Sequence, residues 1–185
     1  MTPSKSIDND GAENLSLPAD NPKTEKLPVS MNSKNVPDIT NLYQNLTEHF
    51  SLTNQAADFV MIVFNFAQFF DDVADGHEVT RKELDLNLYN CFVGLNTNIF
   101  FINNRIALVS VMDLIALKWQ GSDIAERNNQ ADERSFMWRA AFYDLLISVI
   151  SICNGHEFAI GKSVDVMRFY AETMEDYRKE FPKNG

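Results

Sequence analysis

Residues 53–76 have the sequence TNQAADFVMIVFNFAQFFDDVADG, and this stretch decides the fold class. Thr53 is a residue type that caps helix N-termini, and Gly76 can adopt the left-handed conformation that often follows a helix C-terminus. Between them, from Phe59 to Phe70, apolar side chains occur on nearly every face of a helix. A helix of this kind must be surrounded by other elements to hide its apolar faces. The stretch therefore predicts a central core helix.

The rest of the chain has few helix-breaking residues. No proline occurs between Asp38 and Phe181, and apolar residues recur at helical spacing throughout this region. The glycines of the region are spaced like helix ends: Gly76, Gly94, Gly121, Gly155 and Gly161. We expect a single all-α domain over residues 38–185, a bundle of about six helices. The first two helices are expected over residues 39–50 and 54–75, and the third from a Thr80–Glu83 capping box to Gly94. The fourth ends before Gly121, the fifth covers residues 133–153, and Ser163 caps the last.

The first 37 residues differ in composition from the remainder. They contain five of the six prolines together with many Ser, Asn, Asp and Lys residues and no aromatic residue. Such a segment buries too little apolar area to offset the entropy lost on ordering. The composition predicts a disordered polar tail over residues 1–37.

The charge of the chain restricts its partners. The 185 residues include 16 Lys and Arg against 26 Asp and Glu, a formal charge of −10. Nucleic-acid-binding surfaces concentrate positive charge, so we expect no direct nucleic-acid partner. The charge-free apolar run from Phe59 to Phe70 is shorter than the roughly 20 residues that cross a bilayer, so no membrane partner is expected. Cys91 and Cys153 lie in apolar runs and are expected to be core thiols in a reducing compartment.

Three acidic residues at the end of the central helix form a candidate metal site. Asp71, Asp72 and Asp75 occur in the sequence DDVAD, which places Asp71 and Asp75 on one helical face. Carboxylate oxygens are the ligands that Mg²⁺ prefers. The pattern resembles the aspartate-rich motif of class I isoprenoid synthases, and this resemblance implies Mg²⁺ and a substrate diphosphate. Those enzymes carry a second acidic motif that this chain lacks. The alternative interpretation is structural: the aspartates pair with Arg81 or Lys82, or cap the N-terminus of a neighbouring helix.

Carboxylates also interrupt the apolar helices. Asp113 follows Met112, and Asp144 follows Tyr143. A buried carboxylate must be paired or neutral, and basic residues are rare in these helices. We expect Asp113 or Asp144 to form a buried ion pair with Arg139 or Arg105.

Motifs that name a reaction are missing from the sequence. It contains no GxSxG, Walker A, GxGxxG or HExxH pattern, and no Glu-x-x-His pair of the kind that binds two iron ions in helical bundles. We therefore expect no cofactor, with Mg²⁺ at the aspartates as the exception, and we expect a binding protein rather than an enzyme.

Several short blocks carry a resemblance that extends over residues 39–181. The blocks are Phe70–Gly76, Asn96–Phe101, Trp119, Arg139–Tyr143, Gly155 and Arg168–Thr173. In order and spacing they are similar to small all-α proteins encoded by tailed bacteriophages, a family without a characterised function. The resemblance implies a phage or prophage origin, and it implies neither an activity nor functional residues.

Three functions follow as hypotheses. The leading one is a non-catalytic helical accessory protein that binds a protein partner, in the host cytoplasm or during virion assembly. The second is a Mg²⁺-dependent enzyme or diphosphate binder that uses Asp71, Asp72 and Asp75. The third is an acidic decoy that occupies the basic groove of a nucleic-acid-binding protein. The oligomeric state is not predicted by the sequence.

Overall fold

The regular elements of the structure, a computed structural model that describes residues 41–169 and 172–182, are all helical. In chain order they are α1 (Leu42–Gln44) with a π-helical continuation (Asn45–His49), α2 (Asn54–Ala74), α3 (Arg81–Tyr89) with a π-helical continuation (Asn90–Gly94), α4 (Leu95–Thr97), α5 (Ile99–Arg127), α6 (Glu133–Arg139), α7 (Phe142–Asn154), α8 (His156–Arg168) and α9 (Met174–Glu180). The predicted all-α class is confirmed. The tail predicted over residues 1–37 lies outside the described residues.

The core is formed where α2, α5 and α7 pack together, with α8 against α7. Its fully buried side chains include Leu46, Phe50, Phe59, Val60, Leu108, Leu145, Leu146, Val149 and Ile150. Phe59 of α2 stacks on Phe101 of α5 with ring centroids 5.5 Å apart. The central position predicted for α2 therefore holds for its N-terminal half. Its C-terminal half reaches the surface, where Phe70 and Val73 are exposed.

Two of the predicted N-caps and two of the predicted helix-ending glycines are present. The Thr53 hydroxyl oxygen accepts a hydrogen bond from the Ala56 amide at the start of α2, and Gly76 follows the helix with φ of 73°. Thr80 and Glu83 form the complete capping box at the start of α3. Gly155, with φ of 85°, separates α7 from α8 as expected. These signals depend on neighbouring residues alone, which is why the sequence shows them.

Three glycines expected to stop helices, Gly94, Gly121 and Gly161, lie inside them instead. The helical path after α3 continues through Gly94 to Thr97, and α5 continues through Gly121 to Arg127. A Cβ at Gly121 would lie 2.9 Å from the Trp138 ring, and one at Gly94 would lie 2.9 Å from Asn90 Oδ1. Both positions are crowded by a neighbouring side chain, so these glycines permit close approach and do not end a helix.

The predicted helices after Gly121 are also divided differently. The single helix expected over 133–153 is broken into α6 and α7, which meet at an angle of 48° at residues 140–141. Ser163 was expected to cap the last helix, but it lies within α8, where its hydroxyl donates to the Ile160 carbonyl. The last helix, α9, is capped by Thr173.

Two glycine substitutions should have opposite effects on stability. Gly161 lies inside α8 with open space around its missing Cβ, so Gly161→Ala should raise the free energy of unfolding by about 0.5–1 kcal/mol. Gly121→Ala should lower it by about 1 kcal/mol, because the Trp138 ring must move away from the new methyl group. Urea denaturation of both variants measures the difference. Equal stabilisation by the two would contradict the close packing of α5 on Trp138.

Candidate functional site

A pocket of about 480 Å³ lies where α2 and α5 meet the bend between α6 and α7. Its walls are Phe64, Ala67, Gln68, Asp71, Trp119, Arg139, Ala140, Phe142, Tyr143 and Glu172. We call it the Arg139 pocket. The aromatic walls contact one another, since the rings of Phe64 and Phe142 meet edge to face with centroids 5.4 Å apart. The pocket therefore combines an aromatic wall with a small group of charged side chains.

Arg139 is the cation of this pocket, and it contacts three carboxylates. Its Nη1 donates to Glu126 Oε2 at 3.0 Å, its Nη2 donates to Asp71 Oδ2 at 3.5 Å, and its Nε lies 3.9 Å from Glu172 Oε2. The Arg139 side chain is 16% exposed and that of Glu126 is 6% exposed. The Arg139–Glu126 pair is therefore a largely buried ion pair, and Arg139 joins α6 to α2 and α5.

Glu126 is held on its other side by hydroxyl groups. The Ser122 hydroxyl and the Tyr177 hydroxyl each donate to Glu126 Oε1 at 2.8 Å. The Tyr177 hydroxyl also lies 2.7 Å from Ser135 Oγ, on α6. Both oxygens of this carboxylate thus have partners, which a buried charge requires.

The C-terminal helix α9 closes over the same group. Phe181, the residue after α9, places its ring 5.6 Å from the Arg139 guanidinium carbon, a cation–π distance. The Tyr177 ring lies between those of Phe136 and Phe181, with centroids 5.2 Å and 5.1 Å away. Polar and aromatic contacts together fasten α9 to α5 and α6.

Burial shifts the titration of the groups in and around the pocket. It raises the pKa of Asp71 above its ordinary value, although Arg139 and the hydrogen bond from Trp119 act to lower it. It also raises the pKa of Glu180, and nearby carboxylates add to this effect. For Arg139, burial lowers the pKa, but the surrounding carboxylates outweigh it and the pKa lies above its usual range. Burial raises the pKa of Tyr177 to about 12. Arg139 thus stays charged, and the carboxylates around it outnumber its single positive charge.

The three candidate metal ligands are not brought together as a ligand set. Asp71 faces the pocket, where it accepts a hydrogen bond from Trp119 Nε1 at 3.3 Å in addition to its contact with Arg139. Asp72 contacts His77 Nδ1 at 3.3 Å on the surface, and Asp75 is exposed at the end of α2. Over 41–169 and 172–182, no group of three or more His, Cys, Asp or Glu side chains is arranged to hold a metal ion. The magnesium site stays a prediction.

The predicted buried acids behave differently from one another. Asp113 is exposed, which corrects its expected burial: it lies on the side of α5 that faces away from the core. Asp144 is half-buried and pairs with Lys118 of α5, not with the expected Arg105 or Arg139. Arg139 is buried in an ion pair as expected, but its partners lie outside the predicted set.

Cys91 was expected in the core and is exposed, whereas Cys153 is partly buried.

Sequence reasoning missed Glu126, Ser122 and Tyr177. The helix predicted to end before Gly121 stops short of Ser122 and Glu126, yet α5 continues through both residues and both are buried. Their spacing of four residues, which places both side chains on one helical face, was the available signal. Once Gly121 is recognised as a helix-interior residue, this pair becomes the polar end of α5.

Comparison with known proteins gives no relative: no protein-family model, curated protein or solved structure matches the chain. Four of the sequence blocks quoted above contribute residues to the Arg139 pocket: Asp71, Trp119, Arg139 with Tyr143, and Glu172. Because Arg139 already contacts three carboxylates of the chain, it is poorly placed to receive a phosphate. The arrangement is that of a structural tie between helices.

Removing this tie should cost far more stability than removing a surface ion pair. Arg139→Met leaves Glu126 buried without its cation, and we expect a loss of about 3–5 kcal/mol in the free energy of unfolding. The matched control is Arg178→Met, which breaks an ion pair with Glu133 whose side chains are 61% and 51% exposed. Its expected cost is below about 1 kcal/mol. Chemical denaturation compares the two, and a cost for Arg139→Met near that of the control would contradict the structural role.

Removing the charge of two carboxyl groups, those of Asp71 and Glu83, should change the pH dependence of stability in opposite directions. The raised pKa of Asp71 means that its ionisation opposes folding, so Asp71→Asn should gain stability relative to wild type as the pH rises from about 3.5 to 7. Hydrogen bonds from Thr80 lower the pKa of Glu83, so its ionised form favours folding. Glu83→Gln should therefore lose stability relative to wild type over the same range. Unfolding curves at four pH values test both trends, and only the slopes against pH are compared. Parallel slopes would contradict the assignment.

Proposed function

We propose that the chain is a non-catalytic helical accessory protein of tailed-phage type, which acts in the host cytoplasm or in virion assembly by binding a protein partner. The observation that carries this proposal is an apolar surface on α5. Its members are Ile99, Ile102, Ile106, Val109 and Leu117, and we call it the α5 face. Ile106 is 91% exposed, the largest exposed fraction among the large apolar residues described. Exposed apolar side chains on one side of a helix mark a candidate interaction surface.

The α5 face is distinct from the side of α5 that contributes to the core. Phe101 and Leu108 are buried in the core, whereas Ile102, Ile106 and Val109 lie on an adjacent side of the helix that is exposed. The helix is thus apolar on both sides, although only one side is covered. An apolar side that the chain itself leaves uncovered is available to a partner.

Membrane insertion is the competing explanation for such a helix. Among the described helices, α5 is long and apolar enough to span a bilayer, with 11% of its apolar window buried, and the bent α6–α7 pair meets the same criterion when taken together. Insertion of α5 would remove Phe101 and Leu108 from the core and separate Glu126 from Arg139. The contacts on the inner side of α5 therefore favour a helix that stays in the bundle.

The charges of the chain also favour a protein partner. A formal charge of −10 repels anionic lipid headgroups and nucleic-acid phosphates. The diphosphate-binding alternative relies on Asp71, Asp72 and Asp75, of which Asp71 contacts Arg139 and Asp72 contacts His77. The binding hypothesis does not require these three aspartates to be free for a ligand, and the exposed apolar residues of the α5 face support it.

Site-specific photocrosslinking tests this proposal in cells that produce the full chain. With p-benzoylphenylalanine in place of Ile106, irradiation should give a discrete adduct, and mass spectrometry should place the crosslink in one peptide of one protein. The matched control carries the same group in place of Ile160, an isoleucine of α8 that is 55% exposed. Ile102→Asp, introduced beside the photoreactive group, should abolish the adduct. No protein adduct at position 106, or equal adducts at both positions, would refute the proposal.

A further inference from the structure

We propose that the partner of the α5 face is a second copy of this chain, packed antiparallel against it across a twofold axis that passes beside Val109. This inference rests on the proposed function and names the partner of the same surface. It follows from the pattern of residues along α5, from their exposure, and from the position of two charged side chains.

The residues around Val109 are arranged symmetrically in sequence. Counted in both directions from Val109, positions three, four and seven residues away lie on the same side of the helix. In chain order these positions are Ile102, Arg105, Ile106, Val109, Met112, Asp113 and Ala116, and we call them the α5 stripe. Met112 lies at the edge of the stripe, where it is half-buried and packs partly against the core, and the other six are exposed. The stripe is apolar except for one positive and one negative charge.

An antiparallel pair of such helices brings complementary residues together. A twofold axis beside Val109 places each residue of the stripe at the level of the residue equally far on the other side of Val109 in the second copy. Ile102 then meets the partner's Ala116, a large side chain against a small one. Ile106 meets the partner's Met112, and Val109 meets its own copy. The apolar levels are therefore filled by apolar side chains on both sides.

The two charges of the stripe fit the same arrangement. Arg105 precedes Val109 by four residues and Asp113 follows it by four, so Arg105 lies at the level of the partner's Asp113, twice in one dimer. Within the described part of the chain, neither Arg105 nor Asp113 has an ion-pair partner. An antiparallel second copy supplies each with the opposite charge.

Other occupants of the stripe do not satisfy these charges. In a parallel dimer, Arg105 would face the partner's Arg105 and Asp113 would face the partner's Asp113, and like charges at an interface are repulsive. A lipid surface would meet one positive and one negative charge, each unpaired in an apolar medium. With an antiparallel second copy, each apolar residue of the stripe faces an apolar residue, and each charged residue faces the opposite charge.

Charge reversal at these two positions tests the arrangement with the full chain. Sedimentation velocity should show a dimer for the wild type. In an Arg105→Asp dimer, the new aspartate at position 105 faces the partner's Asp113, and in an Asp113→Arg dimer, the new arginine at position 113 faces the partner's Arg105. Like charges therefore face each other twice in each variant dimer, and each variant should dimerise at least about tenfold more weakly. Mixing the two variants in equal amounts should restore the dimer, because both charged levels of a mixed pair contain opposite charges. Lys82→Asp, which makes the same change of charge on α3, should dimerise like the wild type.

The outcomes separate this inference from the proposed function. A wild type that is monomeric at about 100 µM, where even a weak specific interface is populated, overturns the second copy. Single variants that dimerise like the wild type also overturn the proposed dimer. So does an equal mixture of the two variants that stays monomeric although circular dichroism shows both to be folded. Flotation of a monomeric chain with phosphatidylcholine vesicles would assign the stripe to lipid and refute both proposals. A monomer whose position 106 crosslinks to another protein refutes the second copy alone.

Discussion

The Arg139–Glu126 ion pair is the interaction on which the arrangement of the outer helices depends. Arg139 comes from the end of α6, Glu126 from the last turns of α5, and Asp71 from the end of α2, so one guanidinium group connects three helix ends. Tyr177 adds α9 through its hydrogen bond to Glu126. A largely buried charge has already given up its hydrating water. If its partner moved away, the charge would have neither water nor a counter-charge, so the pair tolerates little displacement. The pair therefore adds a polar constraint to helices that also pack through Trp138 and Tyr177.

Features governed by neighbouring residues were predictable from the sequence. The caps at Thr53 and Thr80 and the left-handed glycines at 76 and 155 are where local chemistry places them. Gly94 and Gly121 were not predictable in this way, because the reason for glycine there is a side chain distant in sequence or on another turn. For Gly121 that side chain is Trp138, on the next helix. Glycine alone does not distinguish a helix end from a close contact.

The candidate site shows the same division. That Arg139 must be paired followed from its apolar surroundings, but its partners are set by tertiary structure, and one of them was hidden by the wrong helix end at Gly121. Asp113 was expected inside because its neighbours are apolar. Those neighbours lie on a helix that is apolar on both sides, so periodicity could not tell which side faces the core. The ambiguity that misplaced Asp113 has the same origin as the α5 face itself.

The single residue between α7 and α8 has a consequence for the order of folding. Gly155, with φ of 85°, reverses the chain without an intervening loop, so two helices of 13 residues each pack on one another through contacts close in sequence. Closing such a short connection costs little chain entropy, and local contacts form early on the folding pathway. Asp71 and Arg139 are 68 residues apart in sequence, so closing the chain between them costs more entropy. We therefore expect the α7–α8 hairpin to form before the polar tie is assembled.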